Sequence, residues 1–282
     1  MRVKFTLIPV SQHKTLHVNY NYFLTGLIYK IIKNSSEDYS QFLHNEGYRF
    51  PESKKGFKLF TYSMLMGKKA KIKGETISFG DGNIHWYIAS PVDTFIQHFI
   101  TGVFAEGQEI KIGQVGNETC FLIKQVETLP EPQFSNNMRF TCLSPITISK
   151  SIKGSNRLNC LSGLNGSKGL NRSNNYTCHY IRPWEYGFSE AIKNNLIKKH
   201  NLVTGKEIDD PEFTIKIDEY YMNKKNGKIT KNINFKGTNI IGFIAPFEVN
   251  GNPELIEIGY ETGFGEKGSM GFGMVKESVQ SV

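Results

Sequence analysis

Between Tyr20 and Ile32 the apolar residues Tyr20, Phe23, Leu24, Leu27, Ile28, Ile31 and Ile32 recur at the period of an amphipathic helix. Arg2 to Val10 alternates instead and predicts a strand. Ser35 with Asp38 forms a capping box that opens a second, short helix stopped at Gly47. Phe57 to Leu65 predicts a strand, followed by a hairpin whose turn is Gly80-Asp81-Gly82-Asn83. Ser90-Pro91-Val92-Asp93 is a capped start for a helix running to about Phe104, and Cys120 to Thr128 closes the unit as a strand. The order strand, helix, strand, strand, helix, strand is the ferredoxin-like βαββαβ plan.

Leu129-Pro130-Glu131-Pro132 reads as a linker, and the second half repeats the plan. Arg139 to Ser149 predicts a strand and Glu185 to Lys199 an amphipathic helix. Phe213 to Met222 and Ile240 to Val249 predict strands, Pro253 to Tyr260 a short helix, and Met270 to Val275 a last strand. The expectation is an α+β chain of two tandem ferredoxin-like domains, residues 1–130 and 136–282. Ser151 to Cys178, rich in Ser, Asn and Gly, fits neither plan and reads as a mobile basic loop.

Charge adds a partner class. The chain of 282 residues carries a formal net charge of +8. From Arg139 to Arg182 there are seven basic residues and no acidic one, and Pro51 to Gly74 carries seven lysines against one glutamate. Two dense basic stretches are the electrostatic footprint of a nucleic-acid binder. No run of 18 apolar residues exists, so no membrane span is expected, and Met1 to Leu7 reads as a strand, not a signal peptide. Cys120, Cys142, Cys160 and Cys178 lack CxxC spacing, which fits reduced thiols in a cytoplasmic protein.

The strongest chemical motif is the run Gly263-Phe264-Gly265-Glu266-Lys267-Gly268-Ser269-Met270-Gly271-Phe272-Gly273-Met274, two Gly-Phe-Gly triplets five residues apart. Glycines let main-chain N–H groups approach a phosphate-rich ligand, and Lys267 adds a positive charge. Gly263, Gly265 and Gly268 also satisfy a dinucleotide fingerprint, but that motif opens a helix and needs an acidic residue about 20 positions on. Only nine residues follow Gly273, and no Lys precedes Ser269 as a Walker loop requires.

Candidate acid–base residues lie in the first half. Tyr29 falls roughly 150° from the centre of the Tyr20–Ile32 stripe at 100° per residue, off the buried face of its helix. His44 sits in the last turn of the second helix, and imidazole is a usable acid or base at neutral pH. Lys58 begins a strand-like run, with Lys54 and Lys55 just upstream. No HxH, HExxH or Cys/His cluster has metal-ligand spacing, so neither metal nor cofactor is expected.

The glycine run resembles the signature of the CRISPR repeat-processing endoribonucleases, the "Cas six" family of the RAMP superfamily. Leu27-Ile28-Tyr29, Phe42-Leu43-His44, Lys58-Leu59-Phe60-Thr61-Tyr62-Ser63 and Leu143-Ser144-Pro145-Ile146 agree with it in order. The resemblance implies two RRM-like RAMP domains and metal-independent cleavage of CRISPR repeat RNA (pre-crRNA), with Tyr29, His44 and Lys58 as the catalytic trio. We read Tyr29 as the base, His44 as the acid and Lys58 as the phosphate clamp, with the first two roles exchangeable because an unperturbed Tyr is a poor base. RNA contacts fall to Gly263, Gly265, Lys267, Gly268, Gly271, Gly273, Arg139 and Lys150. Subunits of a CRISPR effector complex are further partners; neither membrane nor DNA is expected. A non-catalytic RAMP-type RNA-binding subunit is the alternative, and the Tyr, His and Lys set argues against it.

Overall fold

The computed structural model describes residues 1–10, 15–153, 176–208 and 212–278. In the first half, β1 (Arg2–Pro9), β2 (Thr61–Tyr62), β3 (Ile84–Ala89), β4 (Glu109–Gln114) and β5 (Asn117–Leu129) form one antiparallel sheet in the order β2-β3-β1-β5-β4. Alternation in β1 sends Val3, Phe5 and Leu7 to one face. There α1 (Asn21–Ser35) and α3 (Asp93–Glu106) cover the sheet, with α2 (Glu37–Asn45) folded back along α1. Phe5, Trp86, Phe95, Phe99 and Phe121 fill this core, each such side chain contributing about 1.5–3 kcal/mol on burial. A Cβ on Gly102 of α3 would lie 1.8 Å from the Ile31 carbonyl oxygen, so the close α1–α3 approach requires glycine there.

The second half contains β6 (Asn137–Cys142), β7 (Ser149–Lys153), β8 (Tyr176–Tyr180), α4 (Phe188–Thr204), β9 (Phe213–Ile217), α5 (Glu219–Lys224), β10 (Thr230–Phe235), β11 (Thr238–Phe243), β12 (Phe247–Gly251), α6 (Pro253–Thr262) and β13 (Val275–Glu277). Its main sheet runs β9-β12-β6-β13. Counted within each unit, both sheets place the second, third, first and last plan strands side by side, the ferredoxin-like order twice over. In the first sheet β4 adds a strand, joined to β5 through Val115-Gly116, and the short Met66–Gly67 strand pairs with β3. A second core gathers Phe140, Phe213, Phe243, Phe247 and Phe264.

Several elements differ from the sequence expectation. The α2 cap is Ser36, not Ser35; its hydroxyl accepts from the Tyr39 N–H at 3.2 Å. Phe57–Leu65 is mostly irregular, since Leu59 has φ +50° and only Thr61–Tyr62 joins the ladder. The Gly80 turn is not a hairpin: Thr76–Ser78 pairs with Thr15–His17 and Lys71–Lys73, whereas β3 belongs to the main sheet. Phe213–Met222 divides at Asp218, which caps α5 by accepting from Tyr221 N–H at 2.8 Å. Ile240–Val249 divides before Pro246, a residue without the N–H a ladder needs. The last strand starts only at Val275, after a 3₁₀ turn at Gly268–Met270. The ends of the Ser151–Cys178 stretch pair as β7 and β8, while residues 154–175, with Cys160, lie outside the described residues.

Arg2 ties the halves together. Its Nη1 and Nη2 donate to the carbonyls of Val275 at 2.6 Å and Tyr260 at 2.7 Å, and its guanidinium lies 3.5 Å over the Tyr260 ring. Burial pulls this guanidinium down to about 10.

Candidate active site

Three segments of the first half converge. The stripe Leu24, Leu27, Ile28, Ile31 and Ile32 faces the core, which leaves Tyr29 half-buried at its edge. Because α2 starts immediately after α1, the chain doubles back, and Ser40 Oγ donates to the Tyr29 carbonyl at 3.2 Å. This return brings the His44 ring edge-on to the Tyr29 ring, centroids 5.5 Å apart at 79°. The Phe60 ring also meets Tyr29, centroids 6.3 Å apart at 75°.

Lys58 arrives on the segment that bridges Phe57 to Tyr48, and its Nζ donates to the His44 carbonyl at 2.9 Å. A cation at that carbonyl complements the negative end of the α2 dipole. Gly47, at φ +68°, makes the space: a Cβ there would lie 3.0 Å from Lys58 Cδ and 3.2 Å from Nζ. Tyr29, His44 and Lys58, more than a dozen residues apart from one another, therefore share one surface.

Their electrostatics differ. Burial pushes the Tyr29 hydroxyl well above the usual phenol range, so it stays protonated at neutral pH. Burial also pulls the Lys58 ammonium down to about 8, with Glu46 opposing the shift. His44 is exposed, and its Nδ1 lies 2.9 Å from Asn45 Oδ1. In the tautomer whose Nδ1–H donates to Asn45 Oδ1, Nε2 carries the lone pair and has no hydrogen-bond partner among the described residues.

The glycine run fills the seam between the halves. Gly263, Gly265, Gly271 and Gly273 have φ of +87°, +86°, +80° and +82°, and all four are buried. Gly268 has an ordinary φ, but a Cβ there would lie 2.6 Å from the Phe60 and Thr262 carbonyl oxygens. The loop is thus shaped by its own protein: Thr61 Oγ1 donates to Phe272 O at 2.9 Å, Thr25 Oγ1 to Ser269 O at 3.3 Å, and Asn21 Nδ2 to Met270 O at 3.3 Å. Residues 266–270 remain half-exposed, and the N–H groups of Lys267, Gly268 and Ser269 have no acceptor among the described residues.

This half-exposed tip lies against neighbours of the trio. Ser269 touches Thr25, one helical turn before Tyr29 on the same face of α1, and Gly268 abuts Phe60, two residues after Lys58. Lys150 is exposed on β7 opposite His179, whereas Arg139 on β6 is ion-paired with Asp218 at 3.1 Å. Sequence reasoning missed Asn21, Thr25, Thr61 and Lys199 as holders of the loop; only Lys199, placed on an apolar helical stripe, carried a signal. No group of three or more His, Cys, Asp or Glu suited to a metal ion occurs among the described residues. No helix among them is long and apolar enough to cross a membrane.

The chain is similar to known proteins. Residues 15–127 match the family model described as CRISPR-associated protein Cas6, N-terminal, and residues 129–277 the one described as CRISPR associated protein Cas6, C-terminal. The chain is 30% identical to CRISPR-associated endoribonuclease Cas6 1 of Methanocaldococcus jannaschii, over 96% of this chain and 87% of that one. It is 28% identical to CRISPR-associated endoribonuclease Cas6 of Pyrococcus furiosus, over 98% of this chain and 89% of that one. A solved structure titled for a Cas6-related gene from Pyrococcus furiosus superposes with a TM-score of 0.77 at 24% identity, covering 100% and 99% of the two chains, and shares the fold.

Proposed function

The chain belongs to the Cas6 family, and on that premise we propose that it is an endoribonuclease cutting CRISPR repeat RNA by metal-independent attack of the 2′-hydroxyl. The observation that carries the mechanism is the meeting of Tyr29, His44 and Lys58 beside the exposed tip of the glycine loop. RNA supplies its own nucleophile, so the protein must remove the 2′-hydroxyl proton, protonate the leaving 5′-oxygen and neutralise the crowded phosphorane.

Of the two exchangeable roles, we assign the acid to Tyr29 and the base to His44. A phenol held protonated by burial is a poor base and a serviceable donor, so Tyr29 serves the leaving 5′-oxygen. His44, exposed and engaged through Nδ1 by Asn45, takes the 2′-hydroxyl proton on Nε2. The Lys58 ammonium stabilises the phosphorane charge, and its desolvated setting strengthens that interaction.

RNA then crosses both halves, residues 1–130 supplying the acid–base groups and residues 136–282 the glycine loop. Lys267 and the N–H groups of residues 267–269 contact phosphate, and Lys150 extends the basic track. Arg139 joins that track only by giving up Asp218. Gly263, Gly265, Gly271 and Gly273 serve RNA through the loop shape they permit.

The test is to incubate the protein with repeat-containing RNA in EDTA and map the ends. Expected products carry a 5′-hydroxyl and a 2′,3′-cyclic phosphate or its hydrolysis product. A 2′-deoxy nucleotide before the cut should abolish cleavage but not binding; cleavage of that substrate would overturn the mechanism.

A further inference from the structure

A costly buried charge holds the neck of the glycine loop. α4 turns Phe188, Ile192, Leu196 and Lys199 inward along one stripe, and Lys199 is only 5% exposed. Its Nζ donates to the carbonyls of Gly263 at 2.6 Å and Gly265 at 2.7 Å. Phe264, between them, is anchored in the core at 5.5 Å from both Phe140 and Phe247. The neck is closed by Phe264 N–H to Gly273 O at 2.9 Å and Gly273 N–H to Pro145 O at 2.8 Å. Beyond this closure only residues 266–270 emerge.

An ammonium removed from water costs several kcal/mol unless well compensated, and a stripe built for packing alone would carry Leu or Met there. Both Lys199 hydrogen bonds go to the loop. Glu266, the first residue past the neck, attracts the same ammonium while its carboxylate accepts from Ser149 Oγ at 2.7 Å.

We propose that Lys199 is a positioning residue for RNA binding: by gripping the Gly263 and Gly265 carbonyls from α4, it fixes the direction in which the loop tip presents Lys267 and its N–H groups to phosphate. This rests on reading the loop tip as a phosphate contact. Removing the ammonium leaves two buried carbonyls without a donor, and they reorient. The trio is held by α1, α2 and the Phe57–Phe60 segment, to which Lys199 makes no hydrogen bond. Lys199 therefore governs how well RNA is bound, not how fast bound RNA is cut.

The experiment compares wild type, Lys199→Met, Lys199→Arg and Lys267→Ala. Affinity is measured with repeat RNA carrying 2′-deoxyribose before the cut, and single-turnover rate with saturating all-ribose RNA. Loss of two charge-assisted hydrogen bonds should weaken Lys199→Met binding about tenfold or more. Its saturated rate should stay close to wild type, and Lys199→Arg, which keeps charge and donors, should recover most of the affinity. Wild-type affinity for folded Lys199→Met beside weakened Lys267→Ala would overturn the role of Lys199 alone. Wild-type affinity for both would overturn the phosphate-contact reading and Lys199 with it. If Lys199→Met gives no folded protein, Lys199→Gln is measured in its place against the same outcomes.

Discussion

The Tyr29 and His44 rings meet edge to face, 5.5 Å between centroids, although one lies on α1 and the other on α2. Their settings separate their chemistry: the phenol is half-buried and kept protonated, the imidazole exposed with Nδ1 at Asn45. Replacing the bridging 5′-oxygen by sulfur gives a leaving group that needs no acid. With ordinary RNA, His44→Ala and Tyr29→Phe should each slow cleavage by about 10²-fold or more. With the 5′-thio substrate Tyr29→Phe should recover and His44→Ala should not. Recovery of His44→Ala instead would return the base to Tyr29, and wild-type rates for both variants would mean the site lies elsewhere.

The Lys58 ammonium titrates near 8, below the usual lysine value, because burial disfavours its charge. Its charge is present below that pH and lost above it, so the single-turnover rate should fall as pH rises through about 8. Stability runs the other way. Between about 8 and the ordinary lysine range the unfolded chain binds more protons at this group than the folded one, so its contribution to stability rises with pH. A falling rate in a protein that is not melting is the expected signature, measured as paired rate and melting profiles. Lys58→Arg, charged throughout, should remove the falling limb; persistence of that limb would assign it to another group.

Ser36 starts α2 through its bond to the Tyr39 N–H, which sets how far α2 has turned when it reaches His44. Ser36→Ala should cost about 1 kcal/mol of stability, as loss of an N-cap does. Loosening α2 should also lower the cleavage rate without weakening RNA binding. Denaturant unfolding and single-turnover kinetics on the same variant check both parts, and a rate unchanged despite lost stability would free His44 from dependence on the cap.

The legible parts were those set by local pattern. The α1 stripe announced its buried face, and the position of Tyr29 off that stripe survived as a half-buried edge residue. The glycine run announced a special backbone, and four of its glycines have positive φ. What the sequence hid depends on tertiary partners. Arg2 looked like one polar position in an alternating strand, yet it reaches Val275 and Tyr260 in the other half. Asp218 and Pro246 carried the breaks that divide two expected strands, but strand-like composition on either side masked them. Lys199 ended the expected helix, and only its register with Phe188, Ile192 and Leu196 marked it as buried.

Gly271 and Lys267 separate the loop's two jobs. At Gly271 a Cβ would lie 2.5 Å from Tyr62 Cε2 and 2.6 Å from Asn21 Nδ2, and the residue sits at φ +80°. Gly271→Ala must strain the backbone and push on the first half, so it should cost roughly 1–3 kcal/mol, seen as a lowered melting temperature. The larger Gly271→Glu should be worse, and its failure to bind RNA would report damage to the seam. Lys267, half-exposed and already in the left-handed region at φ +62°, meets neither obstacle. Lys267→Ala should leave the melting temperature nearly unchanged and weaken RNA binding at low salt. If Lys267 touches one phosphate, the slope of log affinity against log salt should shrink by roughly 0.7, the value for one single-strand contact. An unchanged slope would remove Lys267 from the RNA path and leave the glycine run as the joint between the halves.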